Sequence, residues 1–589
     1  MKYDYDVLII GSGAAGYAAA ERICEKGIKN ICVVTENRML STSRCSGSDK
    51  QTYYKLDIAS DSGDSVRKMA EDMYAGGSMN GSDAYIEAAA SLGCFMHLCE
   101  IGVPFPCDEY GIYQGYRTDH DNTKRATSCG PLTSKYMTEK LEKRVLEYNI
   151  PVLDGYKAIK LLVDNKKCYG AFCLHDGEIV KLTSKFTVLC TGAPAAIYAD
   201  SVYPAGHIGA TGIAADAGAS LSNFQEWQYG IATTEFRWNL SGSYQQVIPS
   251  YFSVDKNGNK YDFLSNIPDV HTKIFLKGYE WPFNCKKTEG SSLIDIKIIE
   301  EKAKGRKVFI DYTKNPSGFD FALLSKEAKD YLEEAGVNGK TPFERLMQLN
   351  PAAVKLYKDN GIDLSVQAPE VGVCSQHNNG GIKVDKNGET NIENLYCCGE
   401  ASGRFGVYRP GGAALNDTQV GATLVSKSIA SKSFNETDIP DFEIRLPDLS
   451  NESNVNEINS YFARKMSSYA GAMRIKEEIT TLADELSKLI RDFNSAVKIS
   501  GKNEYSDYYN LYHTSVSRFY LCVTELVSLD KIGSRGGCIC CENGKAKGEN
   551  KDYLKFITVT DSAGVSFEKV DDIPENNCVF EKLLKGYKN

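Results

Sequence analysis

Apolar residues gather in short runs at the start of the chain and spread to helical spacing further on. YDVLII at 5–10 is a buried strand that runs into GSGAAG. GYAAAERICEK has the pattern of a helix, with Gly27 placed to end it. KNICVVTE supplies a second buried strand. Strand, glycine turn, helix and strand in this order make a βαβ unit of the dinucleotide-binding type. Residues 64–100 and 131–147 read as helices, the second amphipathic in SKYMTEKLEKRVLEY. Residues 155–190 hold four strand-like runs (AIKLLV, CYGAFCL, EIVKL, FTVLC) and end in TGAPAA.

The texture then changes. Residues 220–350 carry all three tryptophans, Trp227, Trp238 and Trp281, with few regular periods. They read as an inserted α+β domain. Residues 361–430 return to strand, turn and helix, and 455–530 are helical and charge-rich, most clearly in KMSSYAGAMRIKEEITTLADELSKLIRDF. Residues 531–589 form a polar tail with two strands. The expected division is 1–220 and 351–435 as two parts of a cofactor domain, 221–350 as a cap, 436–530 as a helical domain and 531–589 as a tail.

Composition narrows the setting. With 589 residues the chain exceeds one ordinary domain, and 42% hydrophobic with 25% charged residues excludes wholesale disorder. A net charge of −9 without a basic run argues against nucleic acid and against an anionic membrane surface. No apolar stretch of the roughly 20 residues needed to span a bilayer occurs. MKYDYDVLII reads as a strand and not as a leader. Nineteen cysteines, an odd number with several in apolar runs such as ICVV and FTVLC, fit a reducing cytoplasm better than a secreted disulfide framework.

Gly11, Gly13 and Gly16 occupy the three glycine places of GxGxxG. The first permits the tight turn, the second lets the backbone approach a pyrophosphate, and the third lets helix and strand pack closely. Free N–H groups at the helix start favour phosphate. Glu36, at the end of the second strand, is placed to accept from ribose hydroxyls. A second glycine-rich segment, NLYCCGEASGRFGVYRPGGAALNDTQVG at 394–421, has a strand reaching Gly399-Glu400 and a helix from near Gly412. A helix N-terminus there suits the N1–C2=O edge of a flavin, and this favours FAD over NAD.

With these segments in hand the chain resembles the flavoprotein subunits of succinate dehydrogenase and fumarate reductase, L-aspartate oxidase and the α subunit of adenylylsulfate reductase. The matching pieces are GSGAAG, EIGVPF at 100–105, KRATSCGPLTSKYMTEKL at 124–141, VLCTGAPAAIY at 188–198, HIGATGIAADAGASL at 207–221, HNNGGIKVD at 377–385, GEASG…RPGGAALN and SRGG at 534–537. The resemblance implies an α/β fold: an FAD-binding, Rossmann-like domain of the glutathione-reductase type, an inserted α+β capping domain and a C-terminal helical domain. It places the pyrophosphate at Gly11, Ser12, Gly13, Ala14, Ala15 and Gly16, the ribose at Thr35 and Glu36, and the adenine at Ala158. Thr191, Gly192, Asp216, Gly399, Glu400, Gly412, Ala413, Ala414, Leu415 and Asn416 complete the expected cofactor set. Arg44, Cys45, Ser46 and Gly47 lie where respiratory members carry a histidine bound covalently to FAD. The absence of that histidine implies non-covalent FAD.

By the same resemblance His377 and Arg409 hold the substrate, the arginine by clamping a carboxylate. Members acting on fumarate or succinate carry an arginine proton donor in the cap. Here EGSSLIDIKIIEEKAKGRKVFID at 289–311 has Ser291 and Ser292 near that place, and Arg306 matches a later turn. Tyr408, Glu226 and Gln228 are the candidates for another acid, and Arg535 for support on the substrate side. Cys538, Cys540 and Cys541 read as reduced thiols on a turn, as a redox pair or as a contact for an iron–sulfur partner. No metal set is expected, because CxCC lacks a second pair and Cys578 is the nearest distant cysteine.

Three functions follow. The first is a flavoenzyme moving a hydride between flavin N5 and a small carboxylate-bearing or unsaturated substrate. The second is an electron-transfer subunit working with a separate iron–sulfur or other electron-transfer protein, and the third a flavin-binding protein without catalysis. Assembly as a homo-oligomer is compatible with each.

Overall fold

The computed structural model describes residues 3–575 apart from 61, 62, 119, 122, 436 and 437, together with Phe580 and Leu584. Cys578 lies outside the described residues.

The two apolar runs at the start pair in parallel, Tyr5–Ile10 against Ile31–Thr35, with Val7 opposite Ile31 and Ile10 opposite Val34. They form the centre of a parallel sheet in the order Val152–Asp154, Ile31–Thr35, Tyr5–Ile10, Glu178–Leu189 and Leu395–Cys397. Both faces of this sheet are covered, which is why its strands are continuous apolar runs and do not alternate. Ala14–Glu25 packs on it between Thr133–Glu147 and Ala413–Ala430. Glu178–Leu189 is long enough to serve twice. Its C-terminal half pairs in parallel with Tyr5–Ile10, and its N-terminal half pairs antiparallel with Lys167–His175, which in turn pairs with Lys157–Asp164.

The cap is a six-stranded antiparallel sheet, ordered Trp238–Asn239, Trp227–Thr233, Glu370–Asn378, Lys307–Asp311, Ser250–Val254 and Lys260–Tyr261. Its own core includes Trp238, Ile294, Ile310, Tyr312 and Leu346. Tyr357 of Pro351–Asp359 and Val371 of the strand Glu370–Asn378 belong to that same core. The cap therefore continues past residue 350, where composition had suggested a return to the cofactor domain. Cross-strand pairing decided this, and local texture does not report it.

The segment KMSSYAGAMRIKEEITTLADELSKLIRDF is also broken. Val455–Tyr469 and Lys476–Arg491 are helices, and between them Met473–Ile475 pairs in parallel with Ile539–Glu542 of the tail. In Lys476–Arg491 the buried positions Ile479, Leu482, Ala483, Leu486 and Leu489 follow helical spacing. The tail is stitched in a second time, since Phe556–Asp561 pairs with Leu221–Ser222. No helix among the described residues is long and apolar enough to cross a membrane.

Candidate active site

Gly11 stands at φ +115°, and a Cβ there would lie 2.4 Å from the Cys190 carbonyl oxygen. A Cβ on Gly16 would lie 1.9 Å from the Gly11 carbonyl oxygen. Only glycine allows this turn and this helix-to-strand approach. The helix Ala14–Glu25 that follows has Gly13 as its N-cap, which supplies no side-chain cap. The second turn repeats the arrangement: Gly412, at φ +91° and without a side-chain cap, opens the helix Ala413–Ala430.

The two turns meet. A Cβ on Gly399 would lie 2.7 Å from the Cβ of Ala15. Both helix starts open on one cavity of about 1470 Å³, well above the roughly 300–1,000 Å³ of a small-ligand pocket. Gly11, Ser12, Gly13, Ala14, Ala15, Thr35, Glu36, Ser46, Gly47, Ala158, Thr191, Gly192, Glu400, Gly412, Ala414 and Leu415 all line it. Ser12 Oγ donates to Thr35 Oγ1 at 2.8 Å, and Lys157 Nζ reaches Glu36 Oε1 at 2.8 Å. Two helix starts that open on the cavity, the first with its Ala14 N–H donating to Ser43 Oγ at 3.2 Å, glycine backbone at positions a Cβ would fill, and this volume fit a dinucleotide with a substrate beside it.

Other expected cofactor residues act one layer behind. Gly16 and Gly399 provide the close packing just described. Ala413 is buried in an apolar cluster, and Asn416 donates to Glu87 Oε2 at 2.8 Å while accepting from the Tyr53 hydroxyl at 3.0 Å. Arg44 is buried in an ion pair with Glu142, and the Cys45 thiol faces the Met39 carbonyl at 3.5 Å. Asp216 ends the helix Thr211–Asp216 at the surface and accepts from the Tyr512 hydroxyl at 2.8 Å. None of these seven lines the cavity.

The cap closes the other wall. Strand pairing sets Gln228 opposite His377, and both line the cavity with Arg409. Asn379 ties the set together, its Oδ1 facing His377 Nδ1 at 3.2 Å and accepting from Arg409 Nε at 3.3 Å. Arg409 also donates to Gln228 Oε1 at 2.8 Å and to the Pro410 carbonyl at 3.2 Å. Burial, then the charge of Arg409, hold His377 well below the usual histidine range, so the ring is neutral. Its buried Nε2 has no hydrogen-bond partner among the described residues and lies 3.9 Å from Glu400 Oε1. Burial lifts the Glu400 carboxyl to about 7, against the Tyr203 hydroxyl and the Asn378 N–H that donate to it.

The structure moves three expected catalytic groups off the cavity. Glu226 accepts from Arg535 Nε at 2.9 Å and Nη2 at 2.7 Å, so that each neutralises the other behind the wall. Tyr408 packs its ring on His120 at 5.1 Å and accepts at its hydroxyl from the Gly536 N–H at 3.2 Å. Glu226, Tyr408 and Arg535 do not line the cavity. Ser291 donates to Glu280, and Ser292 accepts from the Asn284 N–H, both inside the cap.

One residue that does line it was missed. His120, in the loop TDHD, faces the cavity. Partial removal from water at the cavity edge, then the charges of Arg409, Lys287 and Lys286, hold it at about 4, although the residue itself is solvent-exposed. A lone histidine in a polar loop gives no sequence signal; only the packing of that loop against Tyr408 brings it to Arg409. Cys538 donates to the Arg535 carbonyl at 3.3 Å, Cys540 is buried beside it, and among the described residues no group of side chains is arranged to hold a metal ion.

This fold and cavity define a dinucleotide-binding flavoprotein with a cap over the cofactor. Residues 6–415 match the family model described as FAD binding domain, and the chain belongs to that family, with FAD as its cofactor. It is 24% identical to one of the subunits of the fumarate reductase (CoM/CoB) from Methanothermobacter marburgensis, over 83% of this chain and 85% of the relative. It is 24% identical to L-aspartate oxidase of Clostridium perfringens, over 68% and 81%. The fold is similar to that of E. coli quinol fumarate reductase (TM-score 0.71, 18% identity, 98% of this chain and 97% of that one). It is also similar to adenylylsulfate reductase of Archaeoglobus fulgidus (TM-score 0.62, 14% identity, 98% and 97%). The protein is an FAD-dependent oxidoreductase of the fumarate reductase, succinate dehydrogenase and aspartate oxidase group.

Proposed function

We propose that the protein transfers a hydride between its flavin and a small carboxylate-bearing or unsaturated substrate under the cap. Bound FAD supplies the hydride donor or acceptor at N5. Gly11, Ser12, Gly13 and Ala15 hold the pyrophosphate, Thr35 and Glu36 the ribose, Ala158 the adenine, and Glu400, Ala414 and Leu415 the flavin end. Attachment is non-covalent, since Ser43–Gly47 contains no histidine.

The observation that carries this reading is the joint placement of Arg409 and His377, buried on the cavity wall and sharing Asn379 Oδ1. A planar guanidinium in a low-dielectric wall suits bidentate carboxylate binding. The neutral His377 offers Nε2 to a second polar atom. His120 is the proton donor: an anion beside it offsets the surrounding positive charge and raises its affinity for a proton.

The test is anaerobic reoxidation of the reduced protein by a panel of unsaturated mono- and dicarboxylic acids, followed at the visible flavin band. At least one acid restores the oxidised spectrum. A panel in which none does so removes the reading.

A second reading is favoured by one comparison. The Methanothermobacter relative is named as one subunit of its enzyme, and it aligns over 83% of this chain. On this reading the flavin exchanges electrons with a separate protein, an iron–sulfur protein by resemblance. Anaerobic affinity purification yields a brown companion chain if it holds, and a yellow protein active alone if it does not.

A further inference from the structure

The cavity wall contains two thiols that the proposed chemistry does not use. Cys190 directly follows the strand Glu178–Leu189, and Cys398 directly follows Leu395–Cys397. These strands are parallel neighbours with Cys397 opposite Leu189, and the Cys398 N–H donates to the Leu189 carbonyl at 3.1 Å. The two sulfurs, 208 residues apart in sequence, lie 3.4 Å apart, buried, and both residues line the cavity. Neighbouring strands stand about 4.7–4.9 Å apart. That is inside the roughly 4.4–6.8 Å that a disulfide spans between Cα atoms.

We propose that Cys190 and Cys398 are a redox pair that closes to a disulfide when the cofactor site is empty, and that bound FAD protects them. Cys190 is the attacking sulfur. A Cβ on Gly16 would lie 3.5 Å from the Cys190 Cβ, so this thiol stands beside the first turn of Ala14–Glu25. It lines the cavity, so a peroxide entering the empty site meets this thiol beside the helix start. Its contact with Cys190, and burial, keep Cys398 protonated.

The oxidant is a peroxide. The Cys190 thiolate attacks one oxygen of hydrogen peroxide, the O–O bond breaks, and hydroxide leaves to take up a proton. The Cys398 sulfur loses its proton and attacks the resulting Cys190 sulfenic acid. The S–O bond breaks and water leaves. Two thiols and one peroxide become one disulfide and two waters, with two electrons passing from sulfur to oxygen.

FAD matters because a cofactor filling this cavity covers the wall on which both thiols lie and keeps peroxide from them. The disulfide acts back on the cofactor. Drawing the sulfurs from 3.4 Å to about 2.05 Å pulls on the joint where Gly399 meets Ala15. By linkage, the factor by which FAD suppresses the disulfide is the factor by which the disulfide weakens FAD.

The test treats FAD-stripped and FAD-loaded protein with hydrogen peroxide, alkylates after denaturation, and maps non-reduced peptides by mass spectrometry. The stripped protein yields linked Cys190 and Cys398 peptides two hydrogens lighter than the sum of the free ones. FAD lowers their yield, and oxidation weakens FAD binding by roughly 5–150-fold, the usual span of such coupling. Dithiothreitol restores that binding, and C190S or C398S abolishes the link. Recovery of both cysteines alkylated from stripped protein whose exposed Cys107 has been oxidised overturns the pair. Equal linkage with and without FAD overturns the protection.

Discussion

Two clusters of buried arginine lie close together, one on the cavity wall and one behind it. In the rear cluster Arg535 sets two donors on Glu226, and Arg474 faces Glu525 at 3.0 Å. In the front cluster Arg409 is held by the amide oxygens of Asn379 and Gln228 and by the Pro410 carbonyl. Glu226 and Gln228 are two residues apart in the chain and serve opposite clusters. Burial does not separate them, since Arg409 is 9% exposed, Arg474 2% and Arg535 1%. The difference lies in what each guanidinium faces. Behind the wall the Arg535 charge is met by the Glu226 carboxylate, whereas Arg409, beside Asn379, Gln228 and the Pro410 carbonyl, lies on the wall that opens to the cavity. A buried arginine is thus a functional candidate when it borders a cavity, and a structural element when it is paired behind the cavity wall.

The sharpest way to break this contrast is Arg409→Ala. Turnover falls by roughly 10²–10³-fold, the scale of losing one charge-stabilising donor, while the protein stays yellow. Unchanged kinetics with full flavin content end the distinction. Glu226→Ala tests the rear cluster. It leaves Arg535 buried without its carboxylate and costs about 3–5 kcal/mol in denaturant unfolding, with little effect on turnover of the folded enzyme. A stable but inactive variant would move Glu226 into the catalytic set. The double change Glu226→Leu, Arg535→Met recovers much of the lost stability, because it removes both charges together.

The pH dependence of stability follows from two buried groups of the helix Tyr505–Lys531. Burial lifts Glu525 to about 8, despite Arg474 beside it. Between the ordinary glutamate range and pH 8 the unfolded chain loses this proton and the native one keeps it, so stability falls as pH rises through that window. Burial holds His513 at about 4, so the unfolded chain takes up a proton the native one refuses. Stability therefore also falls as pH drops from about 6.5 towards 4. Thermal melts give a maximum near pH 6, and Glu525→Gln flattens the alkaline arm; an alkaline arm unaltered by that change shows that other groups set it. The smallest effect belongs to Gln228→Ala, which removes one of several supports of Arg409. It raises KM about fivefold, matching about 1 kcal/mol for one neutral hydrogen bond, and a larger loss in kcat would place Gln228 in the chemistry itself.

The cofactor floor was legible because its signals are local. Gly11, Gly16 and Gly412 mark backbone that only glycine accepts, the first two where a buried strand passes directly into a helix and the third at a helix start. The substrate wall was legible only through resemblance, which named His377 and Arg409. Residue type also pointed to Glu226 and Tyr408, and resemblance to Arg535, none of which lines the cavity. Nothing in TDHD marks His120, and nothing in VLCTG or YCCGE announces that Cys190 and Cys398 touch. The cap boundary lies later for the same reason, because Glu370–Asn378 joins the cap sheet between the distant strands Trp227–Thr233 and Lys307–Asp311.

By itself the amino-acid sequence determined the two glycine turns on the cavity and hence pointed to a flavin. The sterics of a glycine turn between strand and helix are set by neighbouring residues. Tertiary structure alone decided which buried charges meet the cavity and which cancel one another. That choice depends on strand register and on loops packed from distant parts of the chain, where a shift of one residue turns a side chain to the opposite face.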